Sequence, residues 1–338
     1  MTLPILWFII IAVLICAYYV LDGFDLGAGV LSPFIAKTPG EKRALMTSIG
    51  PVWDGNEVWL LTAGGALFAA FAPAYATVFS GFYLAIMLVL FGLIIRAVSL
   101  EFRAHDPKWQ KLWDALFFVG SLVPALLFGV ALGNCLQGVP LDAAGNYIGS
   151  FFGLLTPFPL VCGLLGLATI VTQGACWLAA KIETGTELHK RAVTARVAGQ
   201  IVTAILVVAV SVMFFTFIGF PQGEGPAFPF LVFVACILVA AIVVGFLAAG
   251  RGKNWLAFGA NSAVCVALVF ALVLAMFPNL VVSTGPGPSI DLFTAAASTY
   301  GLTVMTIIAC IGVPLVLVYH VISYRIFSGS LDDSDLTY

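Results

Sequence analysis

Residues 3–34 read LPILWFIIIAVLICAYYVLDGFDLGAGVLSPF, an apolar run with only two charged side chains, Asp22 and Asp25. A hydrocarbon core of about 30 Å is crossed by roughly 20 apolar residues in a helix, so this run predicts a transmembrane helix. Working outward, runs of the same character lie near 50–71, 76–99, 112–138, 151–180, 196–220, 228–249, 255–280 and 298–324, nine in all. Polar or Gly/Pro-rich breaks divide them, among them Lys37 to Arg43, Glu101 to Lys111, Gly138 to Gly149, Lys181 to Arg191 and Ser283 to Ser289. Such residues belong between spans rather than inside them. A transmembrane barrel would instead show alternating polarity over segments of about 10 residues. The predicted fold class is therefore all-α integral membrane, with nine transmembrane helices.

Composition agrees. Of 338 residues, 62% are hydrophobic and 9% charged, and the mean hydropathy is +1.12. Soluble domains run near 45–50% apolar and about a quarter charged. A soluble enzyme, a disordered chain, collagen and a disulfide scaffold are all excluded. A formal charge of −2 gives no reason to expect a nucleic-acid partner. Met1 to Phe8 holds no Lys or Arg, so the first run reads as a span and not as a signal peptide.

The basic residues give the orientation. They follow the first run (Lys37, Lys42, Arg43), the third (Arg96, Arg103, Lys108, Lys111), the fifth (Lys181, Lys190, Arg191, Arg196), the seventh (Arg251, Lys253) and the ninth (Arg325), and these are all 14. Loops on the other side carry only Asp142, Glu224 and Asp291. Cytoplasmic loops keep positive charge, which predicts an outside N-terminus and a cytoplasmic C-terminus.

Charges within spans are costly and tend to be functional. Two clusters qualify: Asp22-Gly23-Phe24-Asp25-Leu26-Gly27, and Trp53-Asp54-Gly55-Asn56-Glu57-Val58-Trp59 at the start of the second run. In each, the acids are three apart and share a helix face. One reading is a proton or cation path; the other is carboxylates favoured by a helix N-terminus or the interface. Arg96 either pairs one of these acids or snorkels to the headgroups. His105 and His189 read as solvated loop residues, and His320 is a candidate haem ligand or an ordinary span residue. Seven scattered cysteines show no metal-ligand spacing and read as small core residues. Gly23-x-x-x-Gly27 and Gly129-x-x-x-Gly133 match the close-packing pattern of membrane helices.

The first cluster, the second cluster with Leu60, and the string Thr62-Ala63-Gly64-Gly65-Ala66-Leu67-Phe68-Ala69-Ala70 together resemble subunit II of the cytochrome bd family of quinol oxidases. Further matches are Phe79-Ser80-Gly81-Phe82-Tyr83, Gly133-Asn134-Cys135-Leu136-Gln137-Gly138-Val139-Pro140, Thr172-Gln173-Gly174-Ala175 and Gly185-Thr186-Glu187-Leu188-His189. The resemblance covers essentially the whole chain. It implies two four-helix bundles (1–140 and 150–280), a peripheral ninth helix (297–325) and a cytoplasmic tail (326–338). It also implies a haem-free chain whose partner, subunit I, carries two b-type haems and haem d. The complex would oxidise quinol and reduce oxygen to water in the bacterial inner membrane, taking the oxygen-reducing protons from the cytoplasm. A small single-span accessory subunit and a structural quinone or lipid are further partners it suggests.

Carried over by motif, Asp54 is the key carboxylate of a proton intake path. Glu101 and Tyr338 match an acidic and a terminal position of the family, and Asp25 and Glu57 extend the path. Asp22, Trp53, Asn56 and Arg96 complete the motifs. Glu57 stands where many members have Gln, and the break between the sixth and seventh runs is short, as in the cyanide-insensitive branch. The alternative function is a proton- or cation-coupled secondary transporter using the paired acids. A reporter fused after Tyr338 is expected to be active only in the cytoplasm; activity only on the outer side would invert the orientation.

Overall fold

The computed structural model describes residues 2–220 and 227–331. Eleven α-helices dominate: α1 (Leu3–Ile35), α2 (Pro39–Ile49), α3 (Trp53–Ala70), α4 (Ala72–Gly81), α5 (Tyr83–Phe102), α6 (Gln110–Gln137), α7 (Pro157–Lys181), α8 (Glu187–Met213), α9 (Phe228–Gly250), α10 (Asn254–Met276) and α11 (Thr299–Ile326). A π-helical turn, Phe214–Ile218, extends α8, and a two-stranded antiparallel sheet pairs β1 (Asn279–Val281) with β2 (Ile290–Asp291).

Among the described residues, eight helices are long and apolar enough to cross a membrane: α1, α5, α6, α7, α8 with its π turn, α9, α10 and α11. The run expected at 50–71 forms α3, but Asp54, Asn56 and Glu57 in its first turns dilute its hydropathy. The run at 76–99 is divided. Phe82 ends α4, and a fresh helix starts at Tyr83. The break at Lys37 to Arg43 contains the start of α2, closed by a capping box in which Thr38 and Glu41 exchange hydrogen bonds with each other's backbone.

The ends of the helices sort the charges. At one end, Lys42 and Arg103 both reach Asp114, at 2.7 and 2.6 Å. There too Arg191 pairs with Glu41, and Lys181 donates to the carbonyls of Phe327 and Gly329 beyond α11. Partial burial pushes the Glu41 carboxyl up, yet the backbone N–H groups of Lys37 and Thr38 together with Arg191 hold it below the usual carboxylate range. The opposite end is tied by backbone hydrogen bonds from Val139 to Val282 and from Ala297 to Ala70.

Helix α1 runs through the middle, packing against α3, α6, α7 and α10, while α7 packs against α6, α8 and α10. Glycine makes the central crossing possible. A Cβ on Gly27 would lie 2.1 Å from the Ile170 carbonyl oxygen, and one on Gly174 would lie 2.4 Å from the Gly27 carbonyl carbon. Of the sequence pairs, Gly27, Gly129 and Gly133 sit at such crossings, whereas Gly23 has ordinary space. Gly174→Val is expected to cost at least roughly 1–3 kcal/mol through overpacking and to lower the melting temperature of the detergent-solubilised protein. Gly259→Ala, which meets nothing within 4 Å, should leave it unchanged in the same thermal-shift assay.

Candidate functional site

The Asp-Gly-Phe-Asp segment stays helical inside α1, and both carboxylates are fully buried, Asp22 and Asp25 each at 0% exposure. Burying such charges is costly unless they are paired. The partner comes from α5. Gly92 and Gly120 let α5 and α6 approach until the backbone N of Arg96 lies 2.7 Å from where a Gly120 Cβ would be. Arg96 is thereby sealed inside at 2% exposure. Its Nη1 lies 2.7 Å from Asp22 Oδ1, and its Nη2 pairs with Glu57 on α3. The sequence left Arg96 to pair or to snorkel; it pairs, because the glycine crossing places its stem inside the bundle. The contact with Asp22 is an ion pair outside hydrogen-bond geometry, and the Tyr18 hydroxyl and Asp25 Oδ1 also have no hydrogen-bond partner among the described residues.

Asp25 meets a different neighbour. Asn56 Nδ2 donates to Asp25 Oδ2 at 2.7 Å and to the Leu21 carbonyl at 3.3 Å, while the Tyr324 hydroxyl donates to Asn56 Oδ1 at 2.9 Å. One turn on, Trp59 Nε1 donates to His320 Nε2 at 3.2 Å, and His320 Nδ1 lies 2.9 Å from the Val316 carbonyl. An indole N–H only donates and a carbonyl only accepts, so both ring nitrogens of His320 are engaged. That arrangement does not suit the haem-ligand reading. The result is a group of three carboxyls, two of them fully buried and Glu57 half-buried, facing one guanidinium and neutral only when two protons join it, with Asn56 and Tyr324 at its edge.

Asp54 lies elsewhere. It is exposed in the first turn of α3, on the face that also shows Val58, Leu61 and Phe68. Glu101 is exposed near the end of α5, where its carbonyl meets His105 Nδ1 at 3.0 Å. Trp53 is half-buried against the aliphatic core around Ile49 and Val52, and Tyr338 lies outside the described residues. Three sequence readings are corrected. Asp54 and Glu57 do not share a face: Asp54 is exposed while Glu57 reaches the buried Arg96. His189 is buried in the first turn of α8 rather than solvated in a loop. Cys236 and Cys310 are exposed on apolar helices rather than in the core. Tyr324 escaped the sequence reading, and Trp59 entered it only as part of the second cluster, without a role. The signal was there: His320 and Tyr324 are four apart, one helical turn, in an otherwise apolar α11.

Away from the acids, a cavity of about 230 Å³ opens between α6, α8, α9 and α10, lined by Tyr19, Leu132, Val207, Phe214, Leu238 and Leu272 among others. Among the described residues, no group of three or more His, Cys, Asp or Glu is placed to hold a metal ion.

The model of the family described as "Cytochrome bd terminal oxidase subunit II" matches residues 3–327. The chain belongs to that family. The subunit is 38% identical to the "Probable cytochrome oxidase subunit 2" of Haemophilus influenzae, covering 98% of this chain and 95% of the relative. It is 35% identical to the "Cytochrome bd-I ubiquinol oxidase subunit 2" of Escherichia coli K12, over 99% and 96% of the two chains. Its fold resembles a chain of the bd oxidase from Geobacillus thermodenitrificans, with a TM-score of 0.78 at 16% identity, over 97% of this chain and 99% of that one.

Removing the Arg96 guanidinium leaves the two carboxylates it pairs with, Asp22 and Glu57, uncompensated. Arg96→Leu is expected to destabilise it by about 3–5 kcal/mol, read as loss of detergent-stable protein in a thermal-shift assay. Adding Asp22→Asn and Glu57→Gln to that variant should restore most of the yield; no rescue would show that Arg96 acts mainly by packing.

Proposed function

We propose that this chain is the haem-free subunit II of a quinol:oxygen oxidoreductase of the cytochrome bd type in the bacterial inner membrane. It crosses the membrane nine times, α3 supplying the ninth crossing, with the N-terminus outside and the C-terminus cytoplasmic. Two four-helix bundles and α11 make up its body, and it stabilises a haem-bearing subunit I. Oxygen reduction by haem takes place in that partner.

Its own contribution to the reaction is cytoplasmic proton intake. The observation that carries this reading is the group Asp22, Asp25, Glu57 and Arg96, in which carboxyls outnumber bases three to one. A buried group with more carboxyls than bases takes up and releases protons to stay near neutrality. The cluster sits where α1 meets the beginning of α3, towards the end of the bundle that gathers the basic residues. Asp54 stands on the uncovered face of α3, where a neighbouring subunit would pack, and so presents a carboxylate to the subunit boundary. Exposed apolar residues beside it, Val58, Leu61 and Phe68, suit that contact. The apolar cavity suits a lipid acyl chain or a quinone tail in shape and lining.

Asp54→Asn is expected to lower oxygen-reduction turnover of the assembled complex by up to roughly 10²-fold, the lower end of what a positioned proton-transfer group contributes, with unchanged haem content by absorption spectroscopy. Turnover equal to the parent in a fully assembled variant would remove Asp54 from the path.

A further inference from the structure

We propose that α11 orients the acidic cluster, and that Tyr324 is the positioning residue that fixes which end of the Asn56 amide faces Asp25. The inference rests on the proton-intake reading and adds a residue to it from the peripheral ninth helix.

A side-chain amide has a donating end and an accepting end. The Tyr324 hydroxyl donates to Asn56 Oδ1 at 2.9 Å, which commits the oxygen to α11 and turns Nδ2 towards Asp25 Oδ2 at 2.7 Å. Without that hydroxyl, Oδ1 loses its donor, and only the contacts of Nδ2 with Asp25 and the Leu21 carbonyl resist a turn of the amide. Its oxygen would then face Asp25, where it repels a carboxylate and accepts only from a protonated acid. Tyr324 touches no acid itself, yet it decides whether Asp25 meets a donor or an acceptor.

The hydroxyl is well placed for this because its ring is held on several sides. Trp177 of α7 and Phe24 of α1 meet the ring edge-on at 6.1 and 6.5 Å between centroids, and His320 lies nearly parallel at 6.3 Å. Helix α11 is otherwise largely exposed, so its register depends on a few polar contacts. Trp59 holds His320 one turn before Tyr324. Towards the other end, Trp7 donates to the Leu302 carbonyl and to Thr306 Oγ1, at 3.2 and 3.1 Å. Asp25 and Asp22 on α1 are the charges that act on the hydroxyl; His320 on α11 lies against its ring, Lys181 on α7 stands over the neighbouring Trp177 ring, and Arg96 on α5 and Glu57 on α3 reach it only through the cluster. Of these, Asp25 is the one that shares Asn56 with Tyr324.

The test uses the assembled oxidase, with turnover expressed per haem. Tyr324→Phe keeps the ring packing and removes one hydroxyl. It is expected to lower oxygen-reduction turnover about fivefold, the effect of one ordinary hydrogen bond, and to move the pH profile of turnover. Asn56→Ala should do at least as much, and adding Tyr324→Phe to it should change nothing further, since the two act through one contact. A structural role alone would scale turnover equally at every pH, and that result overturns the proposal. Parental turnover and profile in Tyr324→Phe, with Asp25→Asn still impaired, overturns it while leaving proton intake standing. Parental turnover in Asp25→Asn as well removes the proton-intake reading and this inference together.

Discussion

The ion pairs of Arg96 hold the centre of this fold. Moving a carboxylate or a guanidinium out of water costs several kcal/mol even after relaxation, and the cost is recovered only through close and well-formed contacts. Arginine suits the place better than lysine. Its planar fork presents two nitrogens in different directions, so that Nη1 serves Asp22 on α1 while Nη2 serves Glu57 on α3. One side chain from α5 thus joins two other helices. The glycines of the surrounding crossings serve this requirement: α5 meets α6 at Gly92 and Gly120, and α1 meets α7 at Gly27 and Gly174, at distances that leave no room for a Cβ.

Helix α3 shows what such a centre demands of its neighbours. It turns Asn56 and Trp59 inwards to satisfy polar groups on α1 and α11, and it shows Asp54, Val58, Leu61 and Phe68 outwards. A helix with polar duties at one end and apolar residues at the other matches neither a lipid-facing span nor a soluble amphipathic helix. Its low hydropathy is the consequence of those duties.

Much of this was legible in the sequence. Runs of about 20 apolar residues located the long helices, and the sidedness of Lys and Arg matches the gathering of Lys42, Arg103, Lys181 and Arg191 at one end. The two acidic strings marked the centre. Helix phase was the hidden part. Residues three apart are 60° short of a full turn, so Asp54 and Glu57, read as one face, divide between the outer surface and the interior. Pairing across long separations was equally hidden: nothing local ties Asn56 to Tyr324. Nor does hydropathy register the stop at Phe82, the π turn after Met213 or the strand at Asn279, since each lies inside or beside an apolar run.

The way the cluster draws on the whole chain bears on how the protein is made. Synthesis delivers Asp22 and Asp25 with α1, Glu57 with α3, Arg96 only with α5, and Tyr324 with α11. Until α5 enters the membrane, Asp22 lacks the cation it meets in the finished fold. Until α11 arrives, the Asn56 oxygen and the Trp59 N–H lack the partners they have in the finished fold. Helix α11 closes a site whose other members are laid down long before it, so a chain interrupted before α11 carries Asp22, Asp25 and Glu57 and still lacks their final arrangement.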